Sequence, residues 1–366
     1  MLETAAVLVI PFMIVWARRW KPLRAVDALV WAYALGTLLG QFTVVPRETA
    51  TAVATVAVGF CIPLMLLGLD LPRAISRFKK SFLVMAFFAS FVVIVAVGLI
   101  PILESHEFGP SVAGMLTGTL VGSAPNMASV GLAVQVPQEQ FLLVQSTDLI
   151  VCGIFFVFLL AVGLPYLLPR VPLSDEMGSR QLDKETRAPT KETKGAYARS
   201  FLVAIAVVAC TGVTSQLLPT EYRDMGAMVC LSLFSLLASL VPKRHVADTL
   251  PVGEFVFLFF CASMGSQVKL GLISELPLTY LAYATLVMLG AIFLHFWLCR
   301  AFRVDRNIFM LTSVAGIFSP AMIAPIARRL GDQDLIAVGV AVSLLGLLLG
   351  TSAGLLTYFL SQQLWY

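Results

Sequence analysis

Charge is what this 366-residue chain has least of: 13% of its residues are Asp, Glu, Lys or Arg, against 59% hydrophobic ones, and its mean hydropathy is +0.91. A soluble domain carries about 25% charged residues, so a surface in water on all sides is excluded and an integral membrane protein is indicated. Histidine is scarce too, with three in all. No HExxH, GxSxG or glycine-rich phosphate loop occurs, and no cluster of His, Cys and carboxylate suggests a metal, so an intramembrane enzyme has little to work with. The six cysteines (Cys61, Cys152, Cys210, Cys230, Cys261, Cys299) all lie in apolar segments and form no CxxC pair, which argues against a disulfide framework or a zinc site. Nucleic-acid binding has no support, because the net charge of +4 comes from basic residues at segment ends, where they act as topology signals.

What is present is a succession of apolar runs near the roughly 20 residues that span about 30 Å of hydrocarbon. Hydropathy places spans near residues 4–17, 25–42, 50–69, 81–101 and 141–168, and a second set near 200–218, 225–241, 249–268, 278–299 and 334–360. The first is a retained helix entering from outside, not a signal peptide, since Glu3 precedes it and Arg18, Arg19, Lys21 and Arg24 follow it. The sets give two membrane units, 1–168 and 201–366. Between them, residues 169–200 are polar, charged in both signs and bear proline and glycine, the composition of a solvated linker. The halves resemble each other at an offset near 195 residues: IPLMLLGLDL (62–71) aligns with FFCASMGSQVKL (259–270), and each is followed by a long helix, a broken segment and another long helix.

The broken segments, 111–135 and 308–330, decide the topology. If both are re-entrant, 22 of the 25 Lys and Arg residues fall on the cytoplasmic side, leaving Arg47, Arg223 and Lys269 outside. If both cross, the split is 12 inside against 13 outside. The positive-inside rule selects re-entrant segments. The fold expected is therefore an all-α polytopic membrane protein of two inverted five-helix repeats, with about ten spans and two re-entrant hairpins. Both termini face outside and the linker faces the cytoplasm, in a bacterial plasma or inner membrane.

Non-helical backbone at membrane depth is tolerated only where protein or a wet cavity satisfies it. Gly122, Ser123, Pro125 and Asn126 break the first segment at its middle, with Ser129 a turn further on, and Ser313, Gly316, Ser319 and Pro320 break the second. Such hairpin tips present carbonyls to a cation and N–H groups to an anion, and two entering from opposite faces make one central site. The alternative is a pair of kinked spanning helices, with Asn126 merely plugging its own broken backbone. Asp148 lies about two turns inside the span 141–168, where a carboxylate costs roughly 2.5–3.5 kcal/mol unless compensated, and is the candidate for binding a coupling ion. An interfacial position reaching water is the competing account. Glu254 lies nearer the inner end of the span from 249, Asp27 and Asp224 read as first-turn acids, Lys269 and Asp70 as interfacial anchors, and His295 as hydrogen-bonded packing.

IPLMLLGLDL, the GMLTGTLVGSAPNMASV run (114–130), Asp148 within QSTDLIVCGIFFVFLL, FLFFCASMGSQVKL, His295 and the closing GLLLGTSAGLLTYFL (346–360) resemble, in this order, the YjcL-like integral membrane proteins, a domain family of unknown function. The likeness covers nearly the whole chain. That family in turn looks distantly similar to the sodium-coupled 2-hydroxycarboxylate, glutamate and bile-acid symporters, and the resemblance implies inverted five-helix repeats and a transport role. It departs in the second half: the family pattern is Ser-Asn-Ala-Asn-Ile-Gly-Gly-Pro, where this chain has Ser313, Val314, Ala315, Gly316, Ile317, Phe318, Ser319 and Pro320. The first hairpin, with Asn126, is the better furnished.

The expected function is secondary active transport of a small, anionic organic solute coupled to a sodium or proton gradient. A monovalent cation/proton antiporter and a non-transporting sensor or scaffold are the alternatives. A channel would need a continuous polar lining that these helices lack. The expected partners are the solute, a coupling cation, the bilayer and, as an option, a second copy in a homodimer. The only cofactor foreseen is a sodium ion near Asp148 and Asn126.

Overall fold

The computed structural model describes residues 2–20, 28–42, 46–67, 71–104, 106–173, 194–220, 223–241, 247, 249–268, 271, 276–318, 320–331 and 334–365. Helix dominates among them. The first half holds α1 (Leu2–Ala17), α2 (Ala28–Phe42), α3 (Arg47–Leu66), α4 (Leu71–Gly98), α5 (Gly109–Gly122), α6 (Ala124–Ala133) and α7 (Gln138–Phe158). The second holds α8 (Lys194–Gln216), α9 (Arg223–Ala238), α10 (Leu250–Gln267), α11 (Leu278–Ala301), α12 (Arg306–Ile317), α13 (Ile323–Arg329) and α14 (Asp334–Trp365). Most of the expected 169–200 linker lies outside the described residues.

Six stretches are long and apolar enough to cross a bilayer: Glu48–Leu66, Lys80–Gly98, Gln138–Arg170, Gly195–Gln216, Leu278–Ala301 and Leu335–Trp365. Their outward faces are apolar, as on α8, where Leu202, Ile205 and Val213 are exposed. In water that surface would be an aggregation hazard, whereas in hydrocarbon it costs nothing, so the chain is an integral membrane protein. Four expected spans come out shorter: α1, α2, α9 and α10 have 16, 15, 16 and 18 residues. At 1.5 Å per residue these cover about 22–27 Å of a roughly 30 Å core. Beyond Phe158, α7 continues through wide turns over Leu159–Leu167 and a tight turn over Leu168–Arg170. Pro165, which has no N–H to donate, falls within those wide turns.

Both broken segments fold back on themselves. A methyl placed at Gly118 would lie 3.3 Å from the Asn126 backbone and 3.3 Å from Val130, and one at Gly114 would lie 3.5 Å from Val130. A straight helix would hold Gly114 and Val130 about 24 Å apart, so α6 runs antiparallel along α5. In the second segment Gly339 of α14 packs against both Leu311 of α12 and Ile323 of α13, which a straight helix would separate by about 18 Å. Neither segment is a straight helix.

The contacts at the helix ends agree. Lys80 Nζ donates to the Arg303 carbonyl at 3.5 Å, Arg300 to Pro172 O at 3.2 Å and Arg306 to Pro169 O at 3.1 Å. At the other end His106 Nε2 meets Thr279 Oγ1 at 2.7 Å, and the Tyr280 hydroxyl meets Gln140 at 3.3 Å. Had the first broken segment crossed, Lys80 and Arg303 would sit at opposite ends of the bundle; instead they touch.

The core centres on α14, whose residues Leu335–Val342 are all buried. Its glycines set a close approach to α5 in antiparallel register: Gly354 against Gly114, Gly350 against Gly118 and Gly346 against Gly122. A methyl at Gly354 would come 2.6 Å from the Gly114 carbonyl oxygen, at Gly350 2.9 Å from that of Gly118, and at Gly122 2.5 Å from that of Gly346. Small residues every fourth position let two backbones meet where apolar lipid supplies no hydrophobic drive.

Candidate functional site

The two hairpin tips converge on one residue. A methyl at Gly346, near the middle of α14, would lie 2.5 Å from the Val121 carbonyl oxygen, 3.0 Å from Met85 and 3.7 Å from the Ala315 carbonyl oxygen. Val121 precedes the first break and Ala315 the second, so tips from the two halves meet around this glycine. Gly316 packs on Phe88 and Met85, and Pro320 is buried. Ser319 lies outside the described residues.

The first tip is built around Ser123, at φ 74° and ψ 174°. Only glycine enters that region freely, and another residue there costs roughly 1–3 kcal/mol, held by its surroundings. The Ser123 N–H bonds back to Thr119 O at 2.8 Å and its carbonyl accepts from Asn126 N at 3.0 Å, so the reversal keeps its own main-chain partners. Pro125 sits in the first turn of α6, where a missing N–H is harmless. Ala124 is exposed and Pro125 half-buried, whereas Ser123 is 7% exposed.

Asn126 is fully buried and held by protein on both ends of its amide. Its Nδ2 donates to Gly122 O, one of the last carbonyls of α5, which have no partner within that helix. Its Oδ1 accepts from the Thr351 N–H at 2.9 Å and the Thr351 hydroxyl at 2.7 Å. The side chain thus closes the break and ties it to α14. Ser129 Oγ returns to Pro125 O at 2.9 Å. Ser313 Oγ bonds Phe309 O at 2.9 Å and His295 Nδ1 at 3.0 Å, while Thr312 Oγ1 stands 3.5 Å from His295 Nε2. The buried His295 pins the second hairpin to α11.

Asp148 is different. It is half-buried on α7, with Cys152 Sγ 3.3 Å from its Oδ1 and the Thr119 hydroxyl bonded to its carboxylate. Thr119 lies one turn before Ser123 on α5, so the acid stands beside the first hairpin. Tyr33 of α2 reaches across to Gly153 and lies within electrostatic range of Asp148 and Cys152. No cationic side chain pairs with Asp148 among the described residues. Glu254, by contrast, forms an ion pair with Arg328. Further along α7, Phe155 stacks on Phe318 of the second break with centroids 6.0 Å apart and planes at 9°, Phe156 meets Phe318 at 5.8 Å, and Tyr33 meets Phe156 at 6.1 Å. One face of α7 therefore runs from the first tip to the second. Among the described residues no group of three or more His, Cys, Asp or Glu could hold a metal ion.

Sequence reasoning did not find Thr119, Tyr33, Phe318 or Thr351. The four-residue spacing of Gly346, Gly350 and Gly354 was the one available signal for Thr351, since a glycine-lined helix needs a partner whose break it can abut.

The family match comes from residues 5–363, which fit the family described as protein of unknown function (DUF819); the chain belongs to that family. No curated protein matches it.

Proposed function

We propose that this DUF819 family member is a secondary active transporter whose coupling ion is carried by Asp148. The observation that carries the reading is the meeting of two helical hairpins on Gly346 beside a half-buried carboxylate with no cationic partner. A rigid sensor or scaffold has no use for two breaks at the depth of its core, each costing backbone hydrogen bonds that other groups must restore. Transporters use such breaks to put helix ends at a site between repeats.

An inverted repeat is part of the proposal. Seven helices recur in the same order in each half, and the aligned stretches end alike: α3 gives way to Leu67 at ψ 132° and α10 to Val268 at ψ 110°. The gathering of Lys80, Arg300, Arg303, Arg306 and Arg328 at one end supports a cytoplasmic placement of that end, with both termini outside.

The donor set around Asp148 favours a proton over sodium. A hard cation takes several oxygen ligands, and here the carboxylate has one hydroxyl and a thiol, a soft sulfur. The proton needs no shell. The test is purified protein in liposomes carrying a pH-sensitive dye. Wild type is expected to dissipate an imposed pH gradient when a transported solute is added, and Asp148→Asn to leave it intact. Equal dissipation by the two would remove Asp148 from the coupling step.

A further inference from the structure

We propose that the site between the two hairpins takes a monovalent organic cation bearing an apolar group, with its charge on Asp148 and its apolar part against Tyr33, Phe155 and Phe318. The inference rests on the reading of Asp148 as the coupling carboxylate and adds the chemical class of the solute. It reverses the charge sign expected from the sequence.

The first argument is charge. The groups gathered at Asp148 are the Thr119 hydroxyl from α5, the Cys152 thiol from α7 and the Tyr33 phenol from α2, with Cys261 of α10 next to Tyr33. None is a cation. Lys80, Arg300, Arg306 and Arg328 engage loops and helix ends away from Asp148. His295 is turned to Ser313, Thr312, Phe88 and Phe309. An anion brought here would meet a carboxylate and no counter-charge, and desolvation would penalise both.

The second is shape. Asp148, Cys152 and Phe155 occupy one face of α7 at positions i, i+4 and i+7, so the acid and the ring are offset by about 10 Å along the helix. Asp148, Cys152, Phe155 and Tyr33 are all half-buried, unlike the sealed residues behind them. Phe155 lies flat on Phe318, and Tyr33 continues the aromatic run through Phe156. Aromatic faces offer a large apolar area against which the uncharged part of a solute can be buried. A carboxylate at one end and rings at the other suit an ammonium or phosphonium with an apolar body.

One carboxylate carries one compensating charge. Proton and organic cation therefore exclude each other, and each cation that binds the protonated carboxylate releases its one proton. That is one-for-one exchange with no net charge moved.

The probe is radiolabelled tetraphenylphosphonium, measured by equilibrium binding to the purified full-length protein, with proton release followed in weak buffer. Wild type and Asp148→Glu are expected to bind it saturably, with about one proton released per cation at a pH acid enough to keep the free carboxylate protonated, and fewer as the pH is raised. Asp148→Asn should lose saturable binding, and Phe155→Ala should bind about three- to tenfold more weakly while releasing the same proton count. Unchanged binding in Asp148→Asn overturns the proposal, as does benzoate binding that depends on Asp148 while the cation does not bind. Solute-driven, Asp148-dependent proton flux in liposomes, with no cation bound, would sink the solute class and leave the transporter standing. Absence of both flux and binding in wild type would sink the two together.

Discussion

Replacing Asn126 by alanine removes three hydrogen bonds at once, those with the Gly122 carbonyl, the Thr351 N–H and the Thr351 hydroxyl, and takes from the Gly122 carbonyl its side-chain donor. Each buried polar group left without a partner costs about 1–3 kcal/mol. The two bonds to Thr351, a residue inside α14, contribute about 1 kcal/mol each, and with the cost at the Gly122 carbonyl the loss should be about 3–5 kcal/mol. Thr351→Val removes only the hydroxyl and leaves Oδ1 its backbone donor, so it should cost about 1 kcal/mol. Asn126→Asp keeps both acceptor bonds and loses the donation to Gly122 O, which places it between the two. The assay is unfolding in detergent followed by size-exclusion chromatography after heating, with apparent Tm expected to fall in the order Thr351→Val, Asn126→Asp, Asn126→Ala. An Asn126→Ala protein as stable as wild type but inactive would refute the account of Asn126 as a latch and make it a ligand-binding residue.

Other substitutions probe the same frame. Gly122→Ala puts a methyl 2.5 Å from the Gly346 carbonyl oxygen and should destabilise by several kcal/mol, whereas Gly98→Ala meets nothing within 4 Å and should gain up to about 1 kcal/mol from helix propensity; the two Tm shifts should have opposite signs. Thr249 Oγ1 donates to Leu64 O at 2.6 Å, a carbonyl in the last turn of α3, so Thr249→Val should cost about 1–2 kcal/mol by thermal unfolding. Ser123→Gly should stabilise by about 1 kcal/mol through release of its positive φ, read as a raised Tm.

Much of this architecture was legible because hydropathy and helix-stopping residues are local signals. Gly122, Ser123 and Pro125 announce a break, and the reversal occurs at Ser123. Counting Lys and Arg favoured folding back over crossing, and the contact between Lys80 and Arg303 bears on the first segment alone, since the second follows Arg303. Pairings between distant segments were not legible. Thr119 and Tyr33 look like ordinary span residues until α2, α5 and α7 are brought together. Asn126 stood out as a polar residue at membrane depth, yet its partner Thr351 is 225 positions away, and nothing local distinguishes a side chain that binds a solute from one that completes a helix contact. Asp148 was legible for a different reason: a carboxylate in a long apolar helix is conspicuous whatever surrounds it.

The proposal that Asp148 carries a coupling ion requires the hairpin tip beside it to meet water from alternate sides of the membrane. Ala124 is the exposed residue at that tip, and Ala124→Cys in liposomes tests it with a membrane-impermeant maleimide applied to one side at a time. The account predicts labelling from each side in turn, with the reactive side switching when the pH gradient is reversed and the rate falling when Asp148→Asn is added. A cysteine inert from both sides under every gradient would put the tip against lipid and contradict the account.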